Sequence, residues 1–229
     1  MKTVNTLYGE CTFYGKDSYI GRSLYNYGEW SGEECEKIIS LAKGGKCLDV
    51  GANIGFMSMA MKWSGCSVVA CEPQPELFKL LEKNVGSGCL PIALSSFEGI
   101  TTMPRIRYGS KGNYGGLAIG ARSELGTIQV DCKTMDSLEL SVDFIKIDVE
   151  GHEVEVLRGG RETIARCSPV MYIEDDRDDK RAELYKELSY LGYKWEDHNP
   201  PMYRENNFLG LKKNIWDISY ISKNIVCWK

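Results

Sequence analysis

The sequence predicts an α/β sandwich, a mostly parallel sheet with helices on both faces, and three observations predict it. Short apolar runs of strand length alternate with amphipathic stretches of helical period. The segment "KCLDVGANIGFMSMAMKWSGCSVVACEP" reads as strand, glycine turn, helix and second strand. Two later runs, "DFIKIDVEG" and "PVMYIEDD", are nearly continuous in apolar residues, as strands buried under two helical layers must be. At 229 residues the chain suits one well-buried domain and hardly two.

The elements follow in chain order. Residues 1–30 are rich in Tyr, Gly and Ser and read as an aromatic arm. In "SGEECEKIISLAKGG", Ser31 is placed to cap a helix whose third residue is Glu34, a capping box, and Gly44 and Gly45 end it. A strand over 47–50, a helix over about 54–62 and a strand over 67–71 then form a βαβ unit, whose crossover is expected to be right-handed. "QPELFKLLEKNVG" is a helix with Leu77, Leu80 and Leu81 on one face, and "CLPIALS" is a short strand. Residues 97–135 lack a helical period and carry Gly109, Gly112, Gly115, Gly116 and Gly120, which predicts a β-rich excursion with a flexible tip, either a surface hairpin or a lid over substrate. After the strands ending at Asp148 and Glu174 come the helix "DDKRAELYKELSYLG" and two segments, "NNFLGLKK" and "KNIVCWK", that read as antiparallel strands, the last one inserted into the sheet.

Composition excludes some classes. With 28 basic against 32 acidic side chains the net charge is −4, which argues against nucleic acid or an anionic membrane as main partner. No run of about twenty apolar residues and no signal-peptide core is present, so the expectation is a cytoplasmic chain without membrane insertion, in a host's cytoplasm if its source is viral. The nine cysteines lack any CxxC pair and read as reduced, buried thiols, with neither a disulfide framework nor structural zinc.

The chemistry concentrates at two strand ends. In "LDVGANIG", Asp49, Gly51, Ala52, Asn53 and Gly55 lie where a buried strand turns into a helix, and Glu72 ends the next strand, where a carboxylate can accept hydrogen bonds from ribose hydroxyls. The dinucleotide fingerprint is not matched, and Asp49 suits a cationic tail better than a pyrophosphate. The pattern favours S-adenosylmethionine over NAD; the bland alternative is that the glycines are merely structural. In "FIKIDVEGHEVEVLRGG", Asp148 ends a core strand and His152 follows four residues later. Two mechanisms fit: His152 as general base, oriented by Asp148 or Glu150, or a divalent cation such as Mg²⁺ held by Asp148, Glu174 and Asp175 or Asp176. Glu153 and Glu155 read as helix surface, with Glu155 and Arg158 an i,i+3 pair, and His198 falls in a loop. Tyr14, Tyr19, Tyr25, Tyr27 and Trp30 are packing residues, a cover for an acceptor pocket, or a dimer contact.

The stretches "LDVGANIGFMSMA", "CEPQPELFKLLEKN", "TMDSL" and "IKIDVEGHEVEVLRGG" resemble the FkbM-type class I methyltransferases, over about residues 28–160. The resemblance implies a Rossmann-like fold with a seven-stranded sheet, adenosylmethionine as methyl donor, and O-methylation of a sugar or glycosylated natural product. It also implies that Asp49 and Gly51 approach the methionine end of the cofactor, that Asn53 holds the turn, that Glu72, followed by Pro73, binds the ribose, that Ile92 and Ala93 lie near the adenine, and that Glu29 reaches the cofactor's tail. Where many relatives have a glutamate and then a histidine, this chain has "EDDRDD", so only Glu174 is carried over as a catalytic candidate beside Asp148 and His152. More loosely, the chain is similar to the methyltransferase portion of a multidomain glycan-building enzyme of chlorella-infecting large DNA viruses, which implies rhamnose as acceptor. The expected partner is thus a carbohydrate, with a homo-oligomer or fusion to glycosyltransferase domains left open. The competing expectations are methylation of a lipid or polyketide hydroxyl, and a non-catalytic adenosylmethionine-binding module partnering a glycosyltransferase.

Overall fold

The computed structural model describes residues 1–216 and 220–229. The chain opens with a hairpin, β1 (Lys2–Thr6) and β2 (Gly9–Phe13), and a helix, α1 (Ile20–Tyr27), where the sequence reads as an aromatic arm with no element assigned. Cys11 and Phe13 bury one face of β2. Asn84 ties the hairpin to the body, its amide bracketing Thr12 N (2.8 Å) and Thr12 O (2.9 Å). The period of two was hidden because the partner of the buried face lies seventy residues away.

Helix α2 (Gly32–Ala42) follows without the expected capping box. Ser31 adopts a left-handed backbone (φ 45°), its side chain makes no cap hydrogen bond, and its hydroxyl is buried without a hydrogen-bond partner among the described residues. Glu34 turns instead into the protein, where burial pushes its carboxyl up to about 7.

The βαβ unit is β3 (Lys46–Val50), α3 (Phe56–Trp63) and β4 (Ser67–Cys71), followed by α4 (Pro75–Val85). The single strand expected in "CLPIALS" is two, β5 (Cys89–Leu90) and β6 (Ile92–Leu94), split at Pro91, which has no N–H to continue a ladder. β5 completes the edge of the main sheet, while β6 joins β7 (Gly99–Pro104) and β8 (Thr127–Lys133) in a separate three-stranded sheet. Then come β9 (Phe144–Ile147), α5 (Glu153–Arg158), α6 (Arg161–Cys167), β10 (Val170–Glu174), α7 (Arg181–Tyr190), β11 (Lys194–His198) and β12 (Asn224–Trp228).

The main sheet has seven strands in the order β11-β12-β10-β9-β3-β4-β5. The five strands from β10 to β5 run parallel, and β12, the last in sequence, is inserted antiparallel between β10 and β11. The antiparallel pair is corrected in one member. "NNFLGLKK" is not a strand; it packs on α1, with Leu209 N bonded to Tyr27 O at 2.9 Å, and β11 takes its place. His198 therefore ends a strand rather than lying in a loop.

Alternation sorts the strand residues into two cores. Leu48, Val50, Ile145, Ile147, Met171 and Ile173 pack under α5, α6 and α7, while Cys47, Phe144 and Tyr172 face α2 and α3. The second face also carries Asp49 and Lys146, paired across β3 and β9 in register, with Tyr172 next in line on β10. No helix among the described residues is long and apolar enough to cross a membrane.

Candidate active site

The carboxyl ends of β3, β4, β9 and β10 open into a cavity of about 430 Å³, the place where open α/β sheets bind ligands. One half is built by the turn after β3. Gly51 (φ 79°), Asn53 (φ 53°) and Gly55 (φ 88°) take left-handed conformations, and Gly51 N and Ala52 N both donate to Cys71 O (3.1 and 3.0 Å), pinning the turn to the end of β4. Gly51 has no alternative, since a Cβ there would sit 1.8 Å from Asp148 O. At Gly55 a Cβ would meet Val85 and Leu81 of α4 at 2.5 and 2.7 Å, so this glycine serves helix packing.

Glu72 is 5% exposed and holds the half together: its two oxygens accept from Asn53 N (2.9 Å) and Gln74 N (2.8 Å). Burial pushes its carboxyl up to about 7. Beside it the cavity is walled by Pro73, Leu77, Ile92, Ala93 and Leu94. A carboxylate at one end of an apolar slot suits a ribose followed by a flat base. Gly51, Asn53, Glu72, Pro73, Ile92 and Ala93 thus line the cavity as expected, whereas Ala52 and Gly55 shape the turn from behind.

Two expected cofactor contacts are corrected. Asp49 is fully buried beneath the turn and does not line the cavity; its Oδ2 accepts from Ser58 Oγ at 2.5 Å and its Oδ1 lies 3.6 Å from Lys146 Nζ. Glu29 also faces away, because Arg204 binds it through Nε (2.6 Å) and Nη2 (2.8 Å) and Phe208 N donates at 3.1 Å, fastening α1 and α2 to the C-terminal loop.

The other half is acidic. Asp148, Glu150 and Glu174 bring one carboxylate oxygen each within 4.8 Å of one another. Glu150 enters because it and Gly151 are left-handed in succession (φ 59° and 93°), a turn that Glu153 fixes by accepting from Val149 N and Gly151 N at 3.2 and 3.0 Å. Two cations answer these charges: Lys146 Nζ lies 3.1 Å from Asp148 Oδ2, and Arg177 bonds Glu150. Glu174 has no such partner, and its Oε2 is buried without a hydrogen bond among the described residues. Burial, reinforced by Asp148, pushes Glu150 up to about 7 and Glu174 well above the usual carboxylate range.

Three further expectations change here. His152 does not line the cavity; its Nε2 is 2.9 Å from Ser95 Oγ, on the side of β6, and burial lowers its pKa. Asp175 points to the opposite face of the sheet, since neighbours along a strand alternate, and accepts from Arg181 Nε (2.8 Å) and Tyr185 OH (2.9 Å). Asp176 does reach the cavity but pairs with Arg177 at 3.2 Å. The acidic set is therefore Asp148, Glu150 and Glu174, in place of Asp148, Glu174, Asp175 and Asp176.

The glycine-rich excursion folds back over the cavity. Its tip is fastened to the N-terminal segment by Ser18 N to Gly112 O (2.8 Å) and by the packing of Tyr14, Tyr108 and Tyr114. Asn113, Gly115, Gly116 and Leu117 line the cavity between the two halves, and a Cβ on Gly116 would lie 3.7 Å from Glu150 Oε1. Residue reasoning missed Lys146 and Arg177. Lys146 carried a signal, because a lysine inside a run buried on both faces needs a carboxylate partner, and a period of two puts Asp148 on its own side.

Residues 49–195 match the family model described as the Methyltransferase FkbM domain. No curated protein matches the chain. Among solved structures, a methyltransferase FkbM from Methylobacillus flagellatus is 15% identical with a TM-score of 0.53, over 93% of this chain and 55% of that one, so this chain spans about half the length of that relative. A precorrin 8W decarboxylase from Methanobacterium thermoautotrophicum is also 15% identical, TM-score 0.53, over 86% of this chain and 89% of that one. At such identities these likenesses show the fold, the seven-stranded α/β arrangement of class I methyltransferases.

Proposed function

Since the chain belongs to the FkbM methyltransferase family, whose members depend on adenosylmethionine, we propose that it methylates a hydroxyl of a carbohydrate, within a glycan. The observation that carries the oxygen acceptor is the make-up of the acidic half: three carboxylates, hydrogen-bond acceptors that a ligand rich in hydroxyl donors satisfies. The family resemblance supports a sugar, and the looser resemblance to the methyltransferase portion of a glycan-building enzyme supports rhamnose as a first acceptor to try. Glycosyltransferase domains fused to or partnering the chain would supply the glycan.

The residues present fit the cofactor. Glu72 would hold the ribose, Ile92 and Ala93 would flank the base, and the Gly51 turn, with no room for a side chain, would let the methionine end approach Asp148. Bound adenosylmethionine supplies an electrophilic methyl on a sulfonium. The protein's part is then to set the acceptor oxygen in line and to take its proton. Glu150 is the group we assign to the proton: it faces the cavity, its carboxyl sits at about 7, and Arg177 fixes its direction. Asp148, anchored by Lys146, accepts hydrogen bonds from neighbouring hydroxyls, and Glu174, held toward its protonated form by burial, can accept through one oxygen and donate through the other.

A second reading adds a divalent cation at Asp148, Glu150 and Glu174, which form the oxygen-only donor set that Mg²⁺ prefers. Against it, Lys146 and Arg177 already answer Asp148 and Glu150, and burial holds Glu174 toward its uncharged form. Labelled adenosylmethionine, a panel of rhamnose-, fucose- and xylose-bearing oligosaccharides, and linkage analysis with and without chelator test both. Methylated sugar that survives chelation supports the first reading alone. Label in none of the sugars sinks the sugar assignment. Glu150→Gln is expected to lower kcat by about 10²- to 10⁴-fold, with adenosylhomocysteine affinity retained.

A further inference from the structure

Part of the cavity wall is aromatic, and it comes from two distant stretches of the chain. Tyr19 and Trp30, from the N-terminal region, and Tyr220, from the loop before β12, line the cavity together. They are not independent side chains. Tyr19 stacks on Trp216 with centroids 6.0 Å apart and planes 9° apart, Tyr220 packs on both at 5.9 and 5.4 Å, and Trp30 meets Trp216 edge-on at 6.4 Å. Arg22 covers Trp216 at 4.9 Å and donates to Ile215 O at 2.7 Å, closing the cluster from outside. Rings held this way present a rigid surface that loses little entropy when a ligand lands on it.

From this we infer that Tyr19, Trp30 and Tyr220 form the acceptor subsite, one that takes a neutral pyranose lying with its C–H face on the rings and its hydroxyls toward Asp148, Glu150 and Glu174. The inference rests on the carbohydrate reading above and adds to it which surface holds the sugar and which sugars are refused. Only a ligand with an apolar face and a hydroxyl-bearing edge satisfies both walls at once. A planar phenol would use the rings but leave two of the three carboxylates without donors, and a uronic acid or sugar phosphate would bring a further negative charge against them.

The test uses the full chain saturated with adenosylhomocysteine, which prevents turnover, and titrates it with methyl pyranosides, a uronic acid methyl glycoside in its carboxylate form, and catechol. Calorimetry measures affinity, and saturation-transfer NMR reports which protons lie against the protein. The expected result is saturation strongest at the C–H groups of one sugar face. Tyr19→Ala and Tyr220→Ala should each weaken sugar binding about tenfold or more and, in separate turnover assays with adenosylmethionine, raise the sugar KM by a like factor, while Tyr19→Phe and Tyr220→Phe retain most of the affinity. Unchanged adenosylhomocysteine affinity in each variant certifies the fold. If the wild-type protein methylates a sugar and both alanine variants keep its KM, the subsite is wrong and the carbohydrate reading stands. If catechol binds and is methylated in preference to every sugar, or no sugar binds at all, both fail.

Discussion

Replacing Lys146 by Met tests the electrostatic frame on which both halves of the cavity rest. Its side chain is 4% exposed and faces Asp49, 0% exposed, at 3.6 Å and Asp148, 37% exposed, at 3.1 Å. Burial alone would lower its pKa, but Asp148, Asp49 and Glu34 outweigh that and hold the ammonium above the usual lysine value. With an effective dielectric of about 20, each contact is worth about 5 kcal/mol before desolvation. The Asp148 contact counts for less, being more than a third open to water. Methionine fills a similar volume, so the loss is mainly of charge, and it leaves the buried Asp49 carboxyl without its cation, with Ser58 as its hydrogen-bond partner among the described residues. Breaking a buried pair this way costs about 3–5 kcal/mol, roughly a 6–20 °C fall in Tm for a chain of this size. A group whose folded pKa is raised contributes fully below its unfolded value, about 10.4 for lysine, and loses that contribution only as pH rises through the folded value; between pH 6 and 8 the lysine itself therefore stays charged. Urea unfolding followed by circular dichroism measures the cost. Adding Asp49→Asn removes the stranded carboxyl and should recover at least about 1.5 kcal/mol. A single variant within about 1 kcal/mol of wild type, or a double variant no more stable than the single, would refute the frame.

Other expectations follow from the same geometry. Gly51→Ala must both hold a positive φ, at about 1–2 kcal/mol, and open the 1.8 Å overlap with Asp148 O, so calorimetry should show adenosylhomocysteine binding reduced at least tenfold alongside a lower Tm. On the proposed reading Glu72, pushed by burial to about 7, would accept from ribose hydroxyls best as a carboxylate, so adenosylhomocysteine affinity should rise with pH through about 7 and level off above it. Glu72→Gln should abolish that rise and cost about 10- to 100-fold in affinity, the worth of one to two hydrogen bonds to a charged group. The same raised pKa makes its contribution to folding stability greatest below about 4.3, falling as pH rises through 7. His152→Ala should leave kcat within about threefold of wild type, because the ring bonds Ser95 outside the cavity; a loss above a hundredfold with cofactor affinity intact would restore it as the base.

What the sequence by itself determined is what depends on local pattern. The βαβ unit, the glycine turn after β3, Glu72, and the carboxylates Asp148 and Glu174 at strand ends are legible because a strand's alternation, a glycine turn and the following helix lie within a few residues of one another. Strand β4 falls on residues 67–71, as its pattern predicts. Tertiary structure decided which way the polar groups point. Asp49 and Glu29 bear the right chemistry for a ligand, yet a lysine 97 residues away and an arginine 175 residues away claim them. His152 stands in the right loop, but the two left-handed residues before it swing Glu150 into the cavity and leave the imidazole beside Ser95. The aromatic wall needed distant stretches of the chain brought together, and the glycine-rich excursion reaches the cavity because its tip is fastened to Ser18. A charged side chain is directed by whichever opposite charge the fold delivers to it, and that partner has no fixed distance along the sequence.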